Sequence, residues 1–224
     1  MSGERERLTR DLMAARVAAA FADGWIVNLG VGIPTRCSDF VPTGRTVVFH
    51  AENGVIGYGR NATVEEATPY VVNGGAQPVL LTPLASIVHH ADAFGIIRRG
   101  LLDVAVLGAY EVATNGDFAN WRITGRKGGG IGGAMDLAVG AKRVFLLLEH
   151  TTRDGRPRLL DRCALPLTAP GVVTLVMTDL GLFEPAGDSF RLLEIAPGFT
   201  VDEVQALTGA LVTPASDLKP VALV

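Results

Sequence analysis

Apolar residues recur at helical spacing along the start of the chain. Leu8, Leu12 and Ala15 fall on one face beside Met13, Val17 and Phe21, among charges of both signs, and Asp23-Gly24 offers a stop. The pattern then changes period. "WIVNLGVG" predicts a strand running into a glycine turn, with Pro34 opening a short helix "PTRCSDF". "TVVFHA" and "PVLLTP" predict two further strands, and "ADAFGIIRRG" a helix ending at Gly100. "LDVAVLGAY" is a strand, and "GGAMDLAVGA" is helical behind a glycine cluster. "RVFLLLEH" is an uninterrupted apolar run, as expected of a strand covered on both faces. "GVVTLVMTDL" and "FRLLEIA" follow as strands, and "TVDEVQALTGA" carries acids in the first turn of a helix.

Strands alternating with helices predict an α/β fold with a mainly parallel, helix-covered sheet. No linker or repeat interrupts it, so residues 1–224 are expected to form a single domain. The polar segment "LEHTTRDGRPRLLDRC", with Asp154-Gly155 at its centre, predicts a hairpin-like excursion at a sheet end.

Composition narrows the classes. A 48% hydrophobic and 19% charged chain of 224 residues buries a core rather than staying disordered. A net charge of −3 gives no electrostatic case for nucleic acid. The N-terminus lacks the h-region of a signal peptide, and no apolar run is long enough to span a bilayer. Cys37 and Cys163 are expected to be free thiols in a reducing cytoplasm.

One acid stands out. In "VVFHAENGVIGYG", Glu52 arrives where a core strand ends and a turn begins. Ligands of open α/β sheets sit beyond the carboxyl ends of strands, so a reacting carboxylate competes there with a turn-capping acid. Other strand ends are also followed by glycine turns, "LGVGIP", "VNGG" and "GGGIGG", whose backbone N–H groups could face an oxyanion. Two of these turns imitate dinucleotide sites. Gly30 and Gly32 follow a strand, with Glu52 near the 20-residue spacing of a ribose-binding acid, but Thr35 replaces the third glycine. Gly128, Gly130 and Gly133 follow "WRITGRK", a poor strand. A nucleotide-dependent oxidoreductase on the VNLGVG turn is therefore the second reading, and a non-catalytic partner subunit the third. His89-His90-Asp92 has no companion at metal-ligand spacing, so no metal is expected. Glu149-His150 reads as the polar exit of its strand, and the Ser38 region lacks a nucleophile elbow.

The stretches "VNLGVGIPT", "HAENGVIGYG", "VVNGG", "FGIIRRG", "DVAVLGAYEV", "GDFANW", "GGIGGAMDLAVGAKRV" and "CALPLT" occur in one order along nearly the whole chain. As an ordered set they resemble the B (beta) subunit of the family I coenzyme A transferases, which include succinyl-CoA:3-ketoacid transferase and 3-oxoadipate CoA-transferase. The resemblance implies the CoA-transferase/NagB-like form of the α/β fold. It implies that Glu52 of Ala51-Glu52-Asn53-Gly54 is the nucleophile, passing through a glutamyl-CoA thioester with ping-pong kinetics. It further implies an oxyanion hole at Gly132-Gly133, with Gly133 the main candidate, and a role in oxyanion or CoA binding for Asn53. Gly30, Gly32 and Asn73 would shape the pocket. The coenzyme A thioester would be a substrate, with no permanently bound cofactor. The partner would be an A subunit in an α2β2 assembly with the active site between the two. The chain departs from the family at Leu84-Ala85-Ser86-Ile87-Val88, at Gly57-Tyr58-Gly59-Arg60 and at "RITGRK", near the expected acyl pocket. Acetoacetate and 3-oxoadipate both stay open as acceptors from succinyl-CoA.

Overall fold

The computed structural model describes residues 6–125 and 128–222, with Leu84 by its backbone; Arg126 and Lys127 of the RITGRK departure lie outside them. Helix α1 (Arg10–Ala18) starts at Thr9, whose Oγ1 accepts from the Leu12 N–H at 3.2 Å. It ends before the expected Asp23-Gly24. Ala20 and Phe21 donate to carbonyls three residues back, and this tighter turn drives Phe21 into the core against Phe49.

Strand β1 (Ile26–Leu29) runs into a 3-10 helix (Ile33–Asp39) and then β2 (Val48–His50). Strands β3 (Val55–Asn61) and β4 (Val79–Ile87) precede α2 (His90–Arg98) and β5 (Val104–Leu107). Short strands β6 (Glu111–Ala113) and β7 (Phe118–Ala119) lead to α3 (Ala134–Gly140) and β8 (Val144–Leu147). After β9 (Leu159–Leu160) come β10 (Val173–Thr178), β11 (Gly181–Pro185) and β12 (Phe190–Ile195). Helix α4 (Val201–Ala206) and β13 (Val212–Pro220) close the chain. Thr200 and Glu203 form a reciprocal capping box at the start of α4.

The main sheet has ten strands in the order β13-β12-β11-β10-β8-β5-β1-β2-β3-β4. Its centre, from β10 to β2, is parallel as expected. Antiparallel hairpins flank it: β2–β3–β4 on one side and β10–β11–β12 on the other. The central strands are buried on both faces. Val104 and Val106 of β5 join Met13, Phe21, Phe49 and Tyr58 in one core. Ala105 and Leu107 point the other way, among Ile97 of α2, Leu137 of α3, Phe118 and Leu159. Strict alternation in an all-apolar run explains why no polar position appears in "VAVL" or "VFLL". Helices α2 and α3 touch closely enough that a Cβ at Gly140 would lie 2.3 Å from the Ile97 carbonyl oxygen. None of the described helices is long and apolar enough to cross a membrane.

The excursion after β8 is a hairpin as expected. Thr151 bridges Pro157, and the Arg158 N–H returns to the His150 carbonyl at 3.1 Å. His150 itself is fully buried. Its Nε2 lies 2.9 Å from Thr208 Oγ1, whose own proton goes to the Val204 carbonyl, so Nε2–H is the donor. Both cysteines are free, and burial pushes the Cys163 thiol up to about 12.

Burial lowers the His150 pKa from 6.5 to about 4. The unfolded chain takes up this proton near its ordinary pKa, whereas the folded chain does not. Stability is therefore full above 6.5 and is lost as the pH falls towards 4. His150→Gln removes the titration. Urea midpoints measured across this window are expected to fall more steeply for the native chain, by up to roughly 1.4 kcal/mol per pH unit. Equal slopes in the two proteins would rule this out.

Candidate active site

The carboxyl ends of β1, β2, β5 and β8 open on one cavity of about 580 Å³. Its wall includes Gly30 and Val31 after β1, Glu52 after β2, Gly108 to Tyr110 after β5, and Leu148 and Glu149 after β8. The segment from Gly130 to Gly133 closes it from the side of α3. Parallel strands bring these chain-distant turns to a single edge.

Glu52 occupies the tight turn between β2 and β3. Gly54 completes that turn at φ +104°, and a Cβ there would lie 2.0 Å from the Val88 carbonyl oxygen, so only glycine fits. Two more glycines flank the carboxylate. A Cβ on Gly74 would sit 2.6 Å from Glu52 Oε2, and one on Gly133 would sit 3.5 Å from Oε1 and 3.2 Å from the Phe94 ring. The side chain is thus lodged between two bare backbone segments. Burial raises its pKa above the ordinary 4.5, while its own backbone and the neighbouring Asn28 amide pull the other way.

Behind Glu52 lies a buried polar pair. Asn28 of β1 stands in register with His50 of β2, and its Nδ2 donates to the His50 carbonyl at 3.0 Å. The same Nδ2 is 3.1 Å from His50 Nδ1, and His50 Nε2 is 3.1 Å from the Ala93 carbonyl in α2. A carbonyl only accepts, so Nε2 carries the proton and Nδ1 accepts from Asn28. Burial lowers the His50 pKa, keeping the ring neutral.

The expected site residues divide into two groups. Glu52, Gly30, Gly132 and Gly133 line the cavity. Gly30 needs its bare backbone, because a Cβ would meet Val106 O and Leu107 Cδ2 at 3.1 Å. Asn53, Asn73 and Gly32 are not among the lining residues. Asn53 instead ties the hairpin to the next loop, donating to the Val72 carbonyl at 2.8 Å. Asn73 is buried and builds the following turn. Its Oδ1 accepts from the N–H groups of Gly75 at 2.9 Å and Gln77 at 3.1 Å. That turn is what presents Gly74 to Glu52. Gly32, at φ +98°, is the bend into the 3-10 helix.

Gly74, Asn28, His50 and Arg158 carry no expectation from the sequence, and Glu149, expected only as a polar strand exit, lines the cavity. "VVNGG" contained the signal for Gly74, since an Asn-Gly-Gly turn beside a candidate site implies close backbone approach. The nucleotide reading loses its geometric basis. The VNLGVG turn feeds a 3-10 helix rather than an α-helix whose N-terminus would hold a pyrophosphate. His89 is a helix cap, its Nδ1 accepting from the Ala91 N–H at 3.2 Å.

The raised Glu52 pKa has a stability consequence of definite sign. The folded state holds the proton more tightly than the unfolded state. Stability gained from the neutral acid is present below 4.5 and lost as the pH rises through the raised value. Glu52→Gln keeps the shape without the charge. Thermal melts are expected to show a higher Tm for the variant at pH 8, with the gap closing as the pH falls below 4.5. A variant less stable than the native protein at pH 8 would contradict this.

Residues 10–207 match the family model described as Coenzyme A transferase. The chain is 38% identical over 212 residues to the B subunit of 3-oxoadipate CoA-transferase from Acinetobacter baylyi, covering 94% of this chain and 97% of that one. It is 39% identical over 201 residues to the B subunit of succinyl-CoA:3-ketoacid coenzyme A transferase from Helicobacter pylori, covering 90% and 97% respectively. A crystal structure of an acyl-CoA transferase apoenzyme from Escherichia coli O157:H7 superposes with a TM-score of 0.73 at 19% identity, over 98% of this chain and 44% of that one. Identity that low speaks for the fold alone. The family match and the two relatives carry the assignment: this chain belongs to the coenzyme A transferase family.

Proposed function

We propose that this chain is the B subunit of a 3-oxoacid CoA-transferase and that Glu52 is its nucleophile. The observation that carries the reading is the Glu52 carboxylate set between Gly74 and Gly133 in the cavity. A carboxylate in water is a poor nucleophile; partial burial and fixed placement make it a better one.

A Glu52 oxygen attacks the thioester carbonyl carbon, the C–S bond breaks, and coenzyme A leaves as thiolate. The product is a mixed anhydride of Glu52 and the acyl group. The thiolate then attacks the Glu52 carbonyl carbon, releasing the donor carboxylate and leaving a glutamyl-CoA thioester. The acceptor carboxylate attacks that thioester and expels the thiolate. The thiolate attacks the acyl carbonyl of the second anhydride, freeing Glu52 and the new acyl-CoA. No proton is transferred, which suits a site where His50, two residues before Glu52, is held neutral against α2. Each step puts charge on a carbonyl oxygen. The N–H groups of Gly132 and Gly133 donate no hydrogen bond among the described residues, which leaves them available to that oxygen.

The relatives named above act on 3-oxoadipate and on succinyl-CoA with a 3-keto acid, and each is the B subunit of its enzyme. We extend to this chain succinyl-CoA as donor, a 3-oxo acid as acceptor, and an A subunit as partner in a cytoplasmic α2β2 assembly. The exposed Val31 and Ile131 at the cavity support a partner surface closing over it.

Two substitutions test the reading in the enzyme assembled with its A subunit. Glu52→Ala is expected to abolish CoA exchange, and Glu52→Asp to lose on the order of 10² or more in kcat, because the shorter arm misplaces the attacking oxygen. Full activity in Glu52→Ala would end the proposal. Gly74→Ala separates placement from presence. Its new Cβ would displace the Glu52 carboxylate, the end of a side chain, rather than collide with backbone, so the fold should survive. Steady-state kinetics are expected to show kcat down by roughly 10-fold to 100-fold with Tm little changed. Native kcat in this variant would refute the placement argument.

A further inference from the structure

The described wall of the cavity carries four charged side chains: Glu52, Arg10, Glu149 and Arg158. Arg10 Nη2 meets Glu149 Oε1 at 2.6 Å, so these two neutralise each other. Glu52 is assigned to the chemistry. Arg158 is left without a counter-charge among the described residues. Its one side-chain hydrogen bond there runs from Nη1 to the neutral Ala109 carbonyl at 3.1 Å. Its Nε is sealed from solvent and has no acceptor. A half-buried guanidinium using one of five donors is an incomplete arrangement.

Its position is fixed from both sides. The 151–157 hairpin returns the chain so that the Arg158 N–H bonds His150 O at 3.1 Å. The Arg158 carbonyl accepts from Val112 of β6 at 2.9 Å, and the next residue enters β9. The excursion thus delivers a cation to the same cavity that β2 supplies with a carboxylate.

Resting on the Glu52 reading, we propose that Arg158 binds the distal carboxylate of a dicarboxylic acyl group whose thioester carbonyl lies at Glu52. The site then selects dicarboxylyl thioesters and dicarboxylic acids over monocarboxylic ones of equal length. Arginine suits this task because its planar fork matches a carboxylate edge to edge. The wall also offers Leu107, Gly108, Ala109, Leu147 and Leu148, an apolar lining for a short methylene chain. The phosphates of coenzyme A present similar anionic oxygens, but such a lining favours the methylene chain over a ribose phosphate.

The test uses the enzyme assembled with its A subunit, and succinate and butyrate, which share four carbons and differ by one carboxylate. In the native enzyme, calorimetry is expected to show succinate bound more tightly than butyrate; equal affinity would overturn the proposal without any variant. In Arg158→Gln, the ratio of kcat/KM for succinyl-CoA over butyryl-CoA is expected to fall roughly 30-fold to 100-fold, with Arg158→Lys between the two. An unchanged ratio overturns the proposal; if both thioesters are slowed equally, Arg158 is assigned to the coenzyme phosphates. The calorimetric arm needs no turnover. Selective succinate binding in an enzyme that transfers no CoA would sink the Glu52 chemistry and leave the Arg158 site standing.

Discussion

Everything at the cavity depends on a carboxylate being held where water would normally surround it. Glu52 cannot be placed by its own short turn alone. Three segments set it: the Gly54 bend against the Val88 carbonyl, the Gly74 turn built by Asn73, and the Gly133 loop that starts α3. Each approaches through a residue without a side chain, because a Cβ would occupy the space of the carboxylate or of its support. The same enclosure raises the Glu52 pKa, so a buried acid is kept at some cost to stability.

Helix α2 braces this arrangement from behind. Its Ala93 carbonyl accepts a hydrogen bond from His50 Nε2–H, and its Phe94 ring abuts the Gly133 loop. Asn28 links β1 to the same histidine. The polar pair therefore fixes the end of β2 two residues before Glu52, in a part of the sheet that is otherwise apolar. A neutral imidazole contributes geometry here and adds no charge beside Glu52.

The parallel centre of the sheet was legible because both faces of β5 and β8 are buried, and a doubly buried strand leaves an unbroken apolar run. The flanking hairpins were harder to see. In "VIGYGRN" glycines alternate with larger residues, which reads as turn, yet the segment pairs as β3 because Tyr58 packs against Phe49 and fills the core. Glu52 and Gly133 could be found from their motifs. Gly74 left a local trace in "VVNGG", but Arg158 could not be singled out, since it reaches the cavity 106 positions after Glu52 and no local pattern records that. Glu149-His150 shows the same limit. Read as a polar strand exit, it supplies a cavity acid and a buried hydrogen-bonded link to Thr178 and Thr208.

The most direct measurement is chemical trapping. The enzyme assembled with its A subunit is incubated with succinyl-CoA without acceptor, reduced with borohydride, digested and read by mass spectrometry. The account predicts that the Glu52 side chain, and no other acid, is recovered as the alcohol left by reduction of its thioester. CoA exchange by an enzyme whose Glu52 stays an unmodified carboxylate under these conditions would contradict it.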